Sequence, residues 1–538
     1  MPILKNIRII FMKPKIIIGG LAIVIFIASL VTSYYPVFKK GYTVGIDSLN
    51  LLEARNYAIA GTYKYESANG VFLSADKAVA EGKKLAISNP LTPIIYGQIF
   101  KLLGTEKRML PLYISIILAA IFNVLIFLLI TNLFNYTIGF FSAVTMVFMP
   151  VRIIGTLFMG SYEFAMIFFV LALFLFFDPK KLFKASLWRL ACASVFFALA
   201  ALSRNAFLIS FAPFVLFDFY KNRSIKRGLV LILPFLIIFG STLTSYSWLN
   251  VPNGYLADKN DQSFSLVGHV YDDPYSLYYD SNYINNLRSR EEMNRVTTHF
   301  LSLWGYEVSM SDRLIAYKDS AQYYIEHFIS LTNYGGPLII MFMFLGAYWL
   351  YKNKRDILWF FGVWLFMWLC GLVAFQTGNW DHSLEIIFVV ASLVGVGLYQ
   401  ILEILKTIPI RQSTIAVFLL VFIIGHLIYS GKWNLFDAYR SSYFGAAFEL
   451  AKKEQDLNSS GVIAVGAHSV FAYAFYYLTN HDVIYFNPNT IEELIKDKKL
   501  KEAFGIYKVK SAFGYSSDLS KQINTTLKIP VYPYDKNN

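Results

Sequence analysis

Long apolar runs separated by short charged loops fill most of the chain and predict a bundle of membrane-spanning helices. A helix needs about 20 mostly apolar residues to cross the hydrocarbon core of a bilayer. Eleven uncharged runs reach or approach that length: Ile16–Phe38, Met109–Phe134, Asn135–Val151, Phe164–Phe177, Leu190–Ser203, Asn205–Phe217, Gly228–Leu249, Tyr334–Tyr351, Ile357–Phe375, Ile386–Leu402 and Thr414–Tyr429. The fourth to sixth runs are short, and we expect Trp188 and Tyr220 to extend them into the membrane interface.

The basic residues between these runs predict the orientation of the bundle, because Lys and Arg concentrate in cytoplasmic loops. With the N-terminus inside, every strongly basic short loop falls on the cytoplasmic face: Lys5 to Lys15; Lys180, Lys181, Lys184 and Arg189; Lys221, Arg223, Lys226 and Arg227; Lys352, Lys354 and Arg355; Lys406 and Arg411. An odd number of crossings then puts the C-terminal region outside. The segments 39–108, 250–333 and 431–538 are therefore predicted to be external.

The external segments carry signals of their own. The middle one ends in an amphipathic helix over 313–331, whose apolar residues recur at helical spacing. In the last one, GVIAVG, VIYF and IYKVKSAF are typical of strands, whereas AYRSSYFGAAFELAKKEQ, SVFAYAFYYLT and TIEELIKDKKLKEAF, with a Thr490–Glu493 capping box, are typical of helices. The predicted fold class is a polytopic α-helical membrane protein of about 11 transmembrane helices (1–430), N-terminus inside, with a small C-terminal α/β extracytoplasmic domain (431–538).

Composition agrees with a membrane protein and removes other classes. The 538 residues are 56% hydrophobic and only 15% charged, whereas soluble domains carry about 25% charged residues. Aromatic residues make up 17%, which suits lipid-facing helices bordered by interfacial rings. The net charge of +13 lies mostly in short loops, so we expect membrane lipid and no nucleic acid as a partner. Cys192 and Cys370 both fall in apolar runs, and no disulfide framework is predicted.

The first candidate for chemistry is Asp47. It follows the first apolar run by a few residues and opens the helical run LNLLEARNYAIAG, which would hold it rigidly at the outer membrane surface. A carboxylate at this position can be a solvated loop residue, the N-cap of the next helix, or a functional group. Glu53, further along the same run, is expected at the surface.

The second candidate is Glu163, which stands at the outer edge of the run FAMIFFVLALFLFF. An ionisable group at that depth is costly unless it is paired or used, so it is a candidate functional residue. The alternatives are an interfacial glutamate surrounded by water and an ion pair with Arg152, which follows Pro150.

Arg204 and His382 complete the set on the predicted outer face. Arg204 lies in the turn between two short apolar runs, where it can extend to lipid headgroups or grip a phosphate with its planar guanidinium fork. His382 occupies the short outer loop QTGNWDHSLE. No metal-ligand spacing is present, so a divalent cation would have to be held by scattered carboxylates.

Taken in order, these residues resemble the motifs of the C-type family of membrane glycosyltransferases, in the branch of the dolichyl-phosphate-mannose protein mannosyltransferases and lipid A aminoarabinose transferases. That family has an acidic residue in its first external loop, an "A..la..G.y" helix, a "PPL" segment leading to a Gly, a second acidic position after a Pro, a basic residue in a "t/sK" turn, and a late external "hR". The matching positions here are Asp47; Ala54 to Gly61 with Tyr63; Asn89-Pro90-Leu91-Thr92-Pro93 and Gly104; Pro150 with Glu163; Ser203-Arg204; and His382.

The chain also departs from the family pattern. The frequent Asp-Glu pair is Asp47-Ser48, and Asn89 replaces a Lys, so neutralisation of the donor phosphate would fall to Lys83, Lys84 or Arg152.

The resemblance implies an inverting glycosyltransferase that moves a sugar from a polyprenyl-phosphate donor to a hydroxyl of a protein, lipid or glycan acceptor. In that scheme Asp47 takes the proton of the acceptor hydroxyl, Arg204 stabilises the departing phosphate, and Glu163 positions the acceptor or helps to hold a cation. Two other classes stay open: a transporter or flippase of polyprenyl-linked glycans, and a non-catalytic scaffold that binds glycan. A transporter would carry charges near helix centres, whereas here the charges cluster at the predicted outer ends.

Overall fold

The computed structural model describes residues 14–40, 45–46, 48–62, 77, 91–104, 109–160, 162–178, 183–204, 206–248, 309–330, 334–375, 384–440, 447, 450–451, 461–466, 475–486 and 488–534. Its helices are α1 (Pro14–Lys40), α2 (Ser48–Ala60), α3 (Leu91–Leu103), α4 (Leu110–Leu133), α5 (Tyr136–Phe148), α6 (Pro150–Leu157), α7 (Tyr162–Phe176), α8 (Leu187–Ser203), α9 (Phe207–Asn222), α10 (Ile225–Trp248), α11 (Met310–Ile329), α12 (Pro337–Asn353), α13 (Arg355–Phe375), α14 (Ile387–Ile404), α15 (Gln412–Arg440), α16 (Pro488–Lys496), α17 (Leu500–Ile506) and α18 (Ser517–Leu527). Its strands are β1 (Gly45–Ile46), β2 (Phe158–Met159), β3 (Val462–Val465), β4 (Val483–Tyr485), β5 (Val509–Tyr515) and β6 (Val531–Pro533).

Every apolar run predicted as a span coincides with helix in the structure. Within the described ranges six helices are long and apolar enough to cross a membrane, or seven if the bent pair α5–α6 counts as one span. Helices α3, α7 and α8 are shorter apolar helices. The chain is therefore a polytopic, mostly helical membrane protein, while the number of crossings and their orientation stay predictions.

The third run is broken where the sequence predicted one helix over 135–151. Helix α5 ends at Phe148 and α6 begins at Pro150, with a bend of 58° between them. Proline has no N–H for an intrahelical hydrogen bond and disfavours helical backbone in the residue before it, and Met149 is extended here (φ −67°, ψ 124°). The bend separates the eight-residue α6, which is buried along its whole length.

Aromatic side chains fill the helical core as well as lying exposed on its surface. Phe169, Phe176, Phe214, Phe360 and Trp364 are all buried, and their neighbouring ring centroids lie 5.0 to 5.3 Å apart. Edge-to-face packing of this kind adds about 0.5–1.5 kcal/mol per pair beyond burial. The aromatic residues were expected at the lipid boundary, but these five instead pack α7, α9 and α13 against one another.

Two glycines allow α12 and α14 to approach each other closely. A Cβ on Gly346 would lie 2.0 Å from the carbonyl oxygen of Leu393, and one on Gly397 would lie 2.1 Å from that of Phe342. Each glycine therefore faces the backbone of the opposite helix, and the crossing leaves no room for a larger residue.

The C-terminal strands form a four-stranded parallel sheet in the order β4-β3-β5-β6. Side chains alternate between its two faces, as the pleat requires. Ala464 and Ile484 pack with α16, α17 and α18 on one face. We call residues 461–466, 475–486 and 488–534 the C-terminal unit. The strands predicted from the sequence are present, whereas the division of the chain into two domains stays a prediction, and α15 continues unbroken across position 430.

The single helix predicted over TIEELIKDKKLKEAF is two helices, so that prediction was wrong. Helix α16 ends at Lys496, and Lys498 just beyond it has a left-handed backbone conformation (φ +58°). The N–H of Lys499 donates to the carbonyl of Leu494 at 2.8 Å, the hydrogen bond that closes this type of C-terminal helix cap. The capping box was also misplaced. Helix α16 already begins at Pro488, so Thr490 lies within its first turn.

The other face of the sheet shares a hydrophobic core with helices α2 and α3, which lie in the chain between α1 and α4. Ile463, Val465 and Phe513 of the sheet belong to one buried cluster with Leu51 and Leu52 of α2, together with Tyr96 and Phe100 of α3, the start of α4 and residues 475–478. The C-terminal unit therefore shares one buried cluster with α2 and α3.

Candidate active site

A two-residue parallel ladder joins the chain before α2 to the chain before α7. Gly45 pairs with Phe158 and Ile46 with Met159. Asp47 stands between Ile46 and Ser48 and lies outside the described residues, as do Tyr63, Lys83, Lys84 and His382. The ladder shows that the two predicted acidic regions, which are far apart along the chain, belong to one place in the fold.

Arg152 of α6 and Glu163, in the first turn of α7, form a buried ion pair. Nη1 of Arg152 donates to Oε1 of Glu163 at 2.6 Å, and Nη2 donates to Oε2 at 2.8 Å, with 2% and 1% of the two side chains exposed. Of the alternatives left by the sequence, the ion pair is confirmed and the glutamate surrounded by water was wrong. The break at Pro150 and the short β2 turn the chain back so that α6 and the start of α7 face each other.

A polar chain continues from this pair into the helical bundle. Nε of Arg152 lies 3.5 Å from Oδ1 of Asn123 in α4, whose Nδ2 donates to Oγ of Ser29 in α1 at 2.9 Å. Ser29 in turn donates to the carbonyl of Ile25 at 2.8 Å. The network ties α7, α6, α4 and α1 together through buried groups, and such networks fix geometry because each member needs its partners.

Arg204 lies against the residue next to Glu163. Its guanidinium carbon is 3.6 Å from the centroid of the buried ring of Tyr162, while the side chain of Arg204 itself is only partly buried. Stacking on a ring uses the face of the guanidinium, whose N–H donors point outward in its plane. The structure thus brings Arg152, Glu163 and Arg204 together around the first residues of α7.

Helix α3 closes the other side of this group. Thr92, in the segment matched to the "PPL" motif, donates from Oγ1 to the carbonyl of Ser203 at 3.1 Å. Tyr96 approaches the carbonyl of Gly160 at 3.4 Å and packs its ring edge-on against Phe164, with centroids 5.2 Å apart. One helix therefore spans from the residue before Arg204 to the residues flanking Glu163.

The described residues do not make a cation site. Among them no three His, Cys, Asp or Glu side chains lie together. Both oxygens of Glu163 accept from Arg152, so this carboxylate is already neutralised by a cation. In the part of the chain that the structure describes, Arg152 and Arg204 supply the positive charge at the start of α7.

Sequence reasoning missed several buried polar residues near the site. Glu53, expected at the surface, is only 2% exposed, which corrects that prediction, since its neighbours Leu51, Leu52 and Ala54 lie in a buried cluster. Glu385 is 1% exposed and follows Leu384, whose side chain would meet a Cβ on Gly155 of α6 at 2.6 Å. Arg55 and Asn56 are also buried. Only Glu385 carried a usable signal, because it ends the same predicted outer loop as His382.

Comparison with solved structures defines the class of fold as that of the C-type membrane glycosyltransferases. The oligosaccharyltransferase of Archaeoglobus fulgidus, crystallised in complex with Zn and sulfate, matches with a TM-score of 0.56 and 10% identity over 91% of this chain and 67% of its own. The archaeal oligosaccharyltransferase AglB from the same organism, in complex with an inhibitory peptide and a dolichol-phosphate, matches with a TM-score of 0.50 and 11% identity over 92% of this chain and 69% of its own.

ArnT from Cupriavidus metallidurans, bound to undecaprenyl phosphate, gives a TM-score of 0.47 at 11% identity over 96% of this chain and 89% of its own. No family model and no curated protein sequence matches the chain. At such identities the likeness to AglB establishes the fold alone, and at that level the resemblance predicted from the sequence is confirmed.

Proposed function

We propose that this protein is an inverting glycosyltransferase that moves a sugar from a polyprenyl-phosphate donor to an acceptor hydroxyl at the extracytoplasmic membrane surface. The observation that carries the proposal is the position of Arg204, partly exposed and stacked on Tyr162 beside the buried pair of Arg152 and Glu163, in a chain with the AglB fold. A guanidinium at the end of a short apolar helix is suited to a phosphate at the level of lipid headgroups.

The roles of the two arginines differ. Arg152 has both terminal nitrogens bound to Glu163 and fixes the geometry of α6 against α7. Arg204 then grips the donor phosphate, and Lys84 supplies the further positive charge that is missing because Asn89 replaces the Lys of the family pattern. The departing phosphate gains negative charge as the glycosidic bond breaks, so Arg204 stabilises the transition state more than the bound donor.

Asp47 is the proposed base. The acceptor oxygen attacks the anomeric carbon from the face opposite the phosphate, its proton passes to Asp47, and the bonding pair of the broken C–O bond leaves with the polyprenyl phosphate. The anomeric carbon is oxocarbenium-like at the midpoint, and the product has inverted configuration. The parallel pairing of Ile46 with Met159 supports this assignment, because it joins the chain beside Asp47 to the chain that leads into Glu163.

The remaining predicted residues belong to the acceptor side. Glu163 acts through Arg152, holding the start of α7 where donor and acceptor meet. Tyr63 and His382 are proposed to contact substrate from the first external segment and from the loop before Glu385. The acceptor is a hydroxyl of a protein, lipid or glycan, and AglB was crystallised with a tethered acceptor peptide.

The test uses purified protein in nanodiscs with a panel of labelled undecaprenyl- and dolichyl-phosphate monosaccharides, added to native membranes as the acceptor source. Wild-type protein is expected to move label from one donor to an acceptor, with inverted configuration in the product by NMR. Asp47→Asn should lower the rate by about 10² to 10⁴, while the exposed Glu492→Gln leaves it unchanged. Full activity in Asp47→Asn would remove Asp47 as the base, and no transfer with any donor by wild type would favour a glycan-binding scaffold or a flippase.

A further inference from the structure

Arg55 of α2 is a buried cation with no part in the transfer chemistry proposed above. Its side chain is 3% exposed, and Nη1 donates to the carbonyl oxygens of Tyr476 at 2.9 Å and of Tyr477 at 3.0 Å in the C-terminal unit. Its guanidinium carbon also lies 4.7 Å from the centroid of the Tyr476 ring. This one side chain therefore joins two parts of the fold that are more than 420 positions apart in the chain.

Asn56 binds both Arg55 and Tyr476. Its Oδ1 accepts from Nε of Arg55 at 3.3 Å and from Nη2 at 3.1 Å, and its Nδ2 donates to the hydroxyl of Tyr476 at 3.2 Å. All three nitrogens of the guanidinium therefore have an acceptor. A Lys ammonium is a point donor on a flexible stem and cannot reproduce this planar fork.

The partners of Arg55 within the described residues are carbonyls, an amide and a ring, with no carboxylate among them. Burial lowers the pKa of Arg55, because the charged form loses its hydration. A buried charge of this kind is costly unless each donor is satisfied, and a well-packed apolar residue would have covered α2 at a lower cost in free energy. Lys77, in the first external segment, pairs with Asp482 of the same unit, which adds a second attachment.

The position of α2 matters for the chemistry because Ser48, its first residue, directly follows Asp47. One end of this stretch is held by the pairing of Ile46 with Met159. Two turns further along α2, Arg55 holds the helix to the C-terminal unit. The base would be placed by two attachments, one to the helical bundle and one to the sheet.

We propose that Arg55 is a positioning residue, through which the C-terminal unit sets the place of Asp47 relative to the acceptor hydroxyl. The inference rests on the proposed transfer. It assigns to the C-terminal unit a part in catalysis that needs no contact between that unit and substrate. A displacement of about 1 Å in a reacting group can cost about 10² in rate, so a small shift of α2 is enough.

The first experiment measures steady-state transfer by Arg55→Lys with the labelled polyprenyl-phosphate sugar that wild type uses. The expected result is a fall of about ten-fold or more in kcat with the donor KM within about two-fold of wild type, because the donor site around Arg204 is untouched. The exposed Arg411→Lys is the matched control and should behave as wild type. An unchanged kcat in Arg55→Lys would overturn the inference.

The second experiment separates positioning from a general structural role. If Arg55 acts through Asp47, its substitution costs nothing further once Asp47 is already Asn, so the double variant Asp47→Asn/Arg55→Lys should have the rate of Asp47→Asn alone. Losses that multiply would show that Arg55 acts elsewhere, and would overturn the inference while leaving the proposed function standing.

Asn56→Leu serves where Arg55→Lys folds poorly, since it removes the acceptor that orients Nε and Nη2 but keeps the guanidinium. It should show a smaller loss of kcat and the same absence of further loss in the Asp47→Asn background. Failure of the proposed function is recognised separately, because it would appear in wild-type protein as no transfer with any donor in the panel, and that result would overturn this inference with it.

Discussion

The guanidinium of Arg204 rests on the ring of Tyr162, 3.6 Å from its centroid, and the next residue along the chain, Glu163, holds the guanidinium of Arg152 through both of its oxygens. Two successive side chains at the start of α7 thus hold two cations by different means. Both oxygens of the carboxylate accept from the buried Arg152, whereas the partly exposed Arg204 lays the face of its guanidinium on the ring, so that its N–H donors point outward in the plane. This difference in exposure and geometry is why Arg204, and not Arg152, is the proposed phosphate ligand.

The ring of Tyr162 should therefore be needed for donor binding. Tyr162→Leu is expected to weaken binding of undecaprenyl phosphate to protein in nanodiscs by about 2- to 30-fold, because a cation on an aromatic ring gains about 0.5–2 kcal/mol. Tyr162→Phe keeps the ring and should bind with nearly wild-type affinity. Equal affinities for the Leu variant and wild type, measured by fluorescence titration, would show that the ring does not orient Arg204.

Breaking the buried pair should cost stability. Glu163→Gln leaves Arg152 charged and buried without its partner, and a single broken buried pair typically costs about 3–5 kcal/mol. The double variant Arg152→Met/Glu163→Met removes both charges and should recover much of that loss. Unfolding in detergent measures both variants, and a Glu163→Gln protein as stable as wild type would mean that the pair contributes little to the fold.

The crossing of α12 and α14 gives a prediction with an internal control. Gly346→Ala places a methyl group against the Leu393 carbonyl, which should force the helices apart and cost about 1–3 kcal/mol. Gly425→Ala meets nothing within 4 Å in α15 and should be neutral or stabilise by about 0.5–1 kcal/mol. Thermal midpoints in the same detergent compare them, and an equal response of the two variants would contradict the close crossing.

Tyr515 should make the fold sensitive to alkali. Burial raises the pKa of Tyr515 well above its ordinary value, with a smaller contribution from Tyr485. Because the folded pKa is the higher one, the neutral phenol's contribution to stability is fully present below pH about 10 and is lost as the pH rises toward the folded pKa.

Unfolding followed by circular dichroism between pH about 8 and 11 measures this effect, because tyrosine ionises near the upper end of that window. The midpoint of Tyr515→Phe should fall less steeply than that of wild type above pH about 10. The exposed Tyr220→Phe is the control and should follow the wild-type curve. Identical slopes in all three proteins would show that Tyr515 does not carry the sensitivity.

The helices could be predicted from the sequence because apolar length is a local property. The run beginning at Ile16 and the one beginning at Met109 appear as α1 and α4 with ends shifted by only a few residues. The break at Pro150 was also present in the sequence, but a continuous apolar pattern on both sides concealed it. The left-handed Lys498 gave no such signal, since lysine seldom adopts that backbone conformation.

The site could be predicted only in part. Glu163 and Arg204 were singled out because a charge at a helix end is costly and therefore conspicuous, and the ion pair of Glu163 with Arg152 was one of the alternatives that the sequence left open. The role of Arg55 could not be predicted, because its partners are backbone carbonyls more than 420 positions away. Every residue has a backbone carbonyl, so the sequence does not indicate which one Arg55 binds.

The shared core of α2 and the sheet has a consequence for how the protein is made. Leu51 leaves the ribosome long before Phe513, yet both belong to one buried cluster. During synthesis α2 must therefore keep apolar surface uncovered until the last strands have been made and can pack with it. Newly made chains that stop before β5 should therefore be recognised by quality-control proteases even when every hydrophobic segment has entered the bilayer.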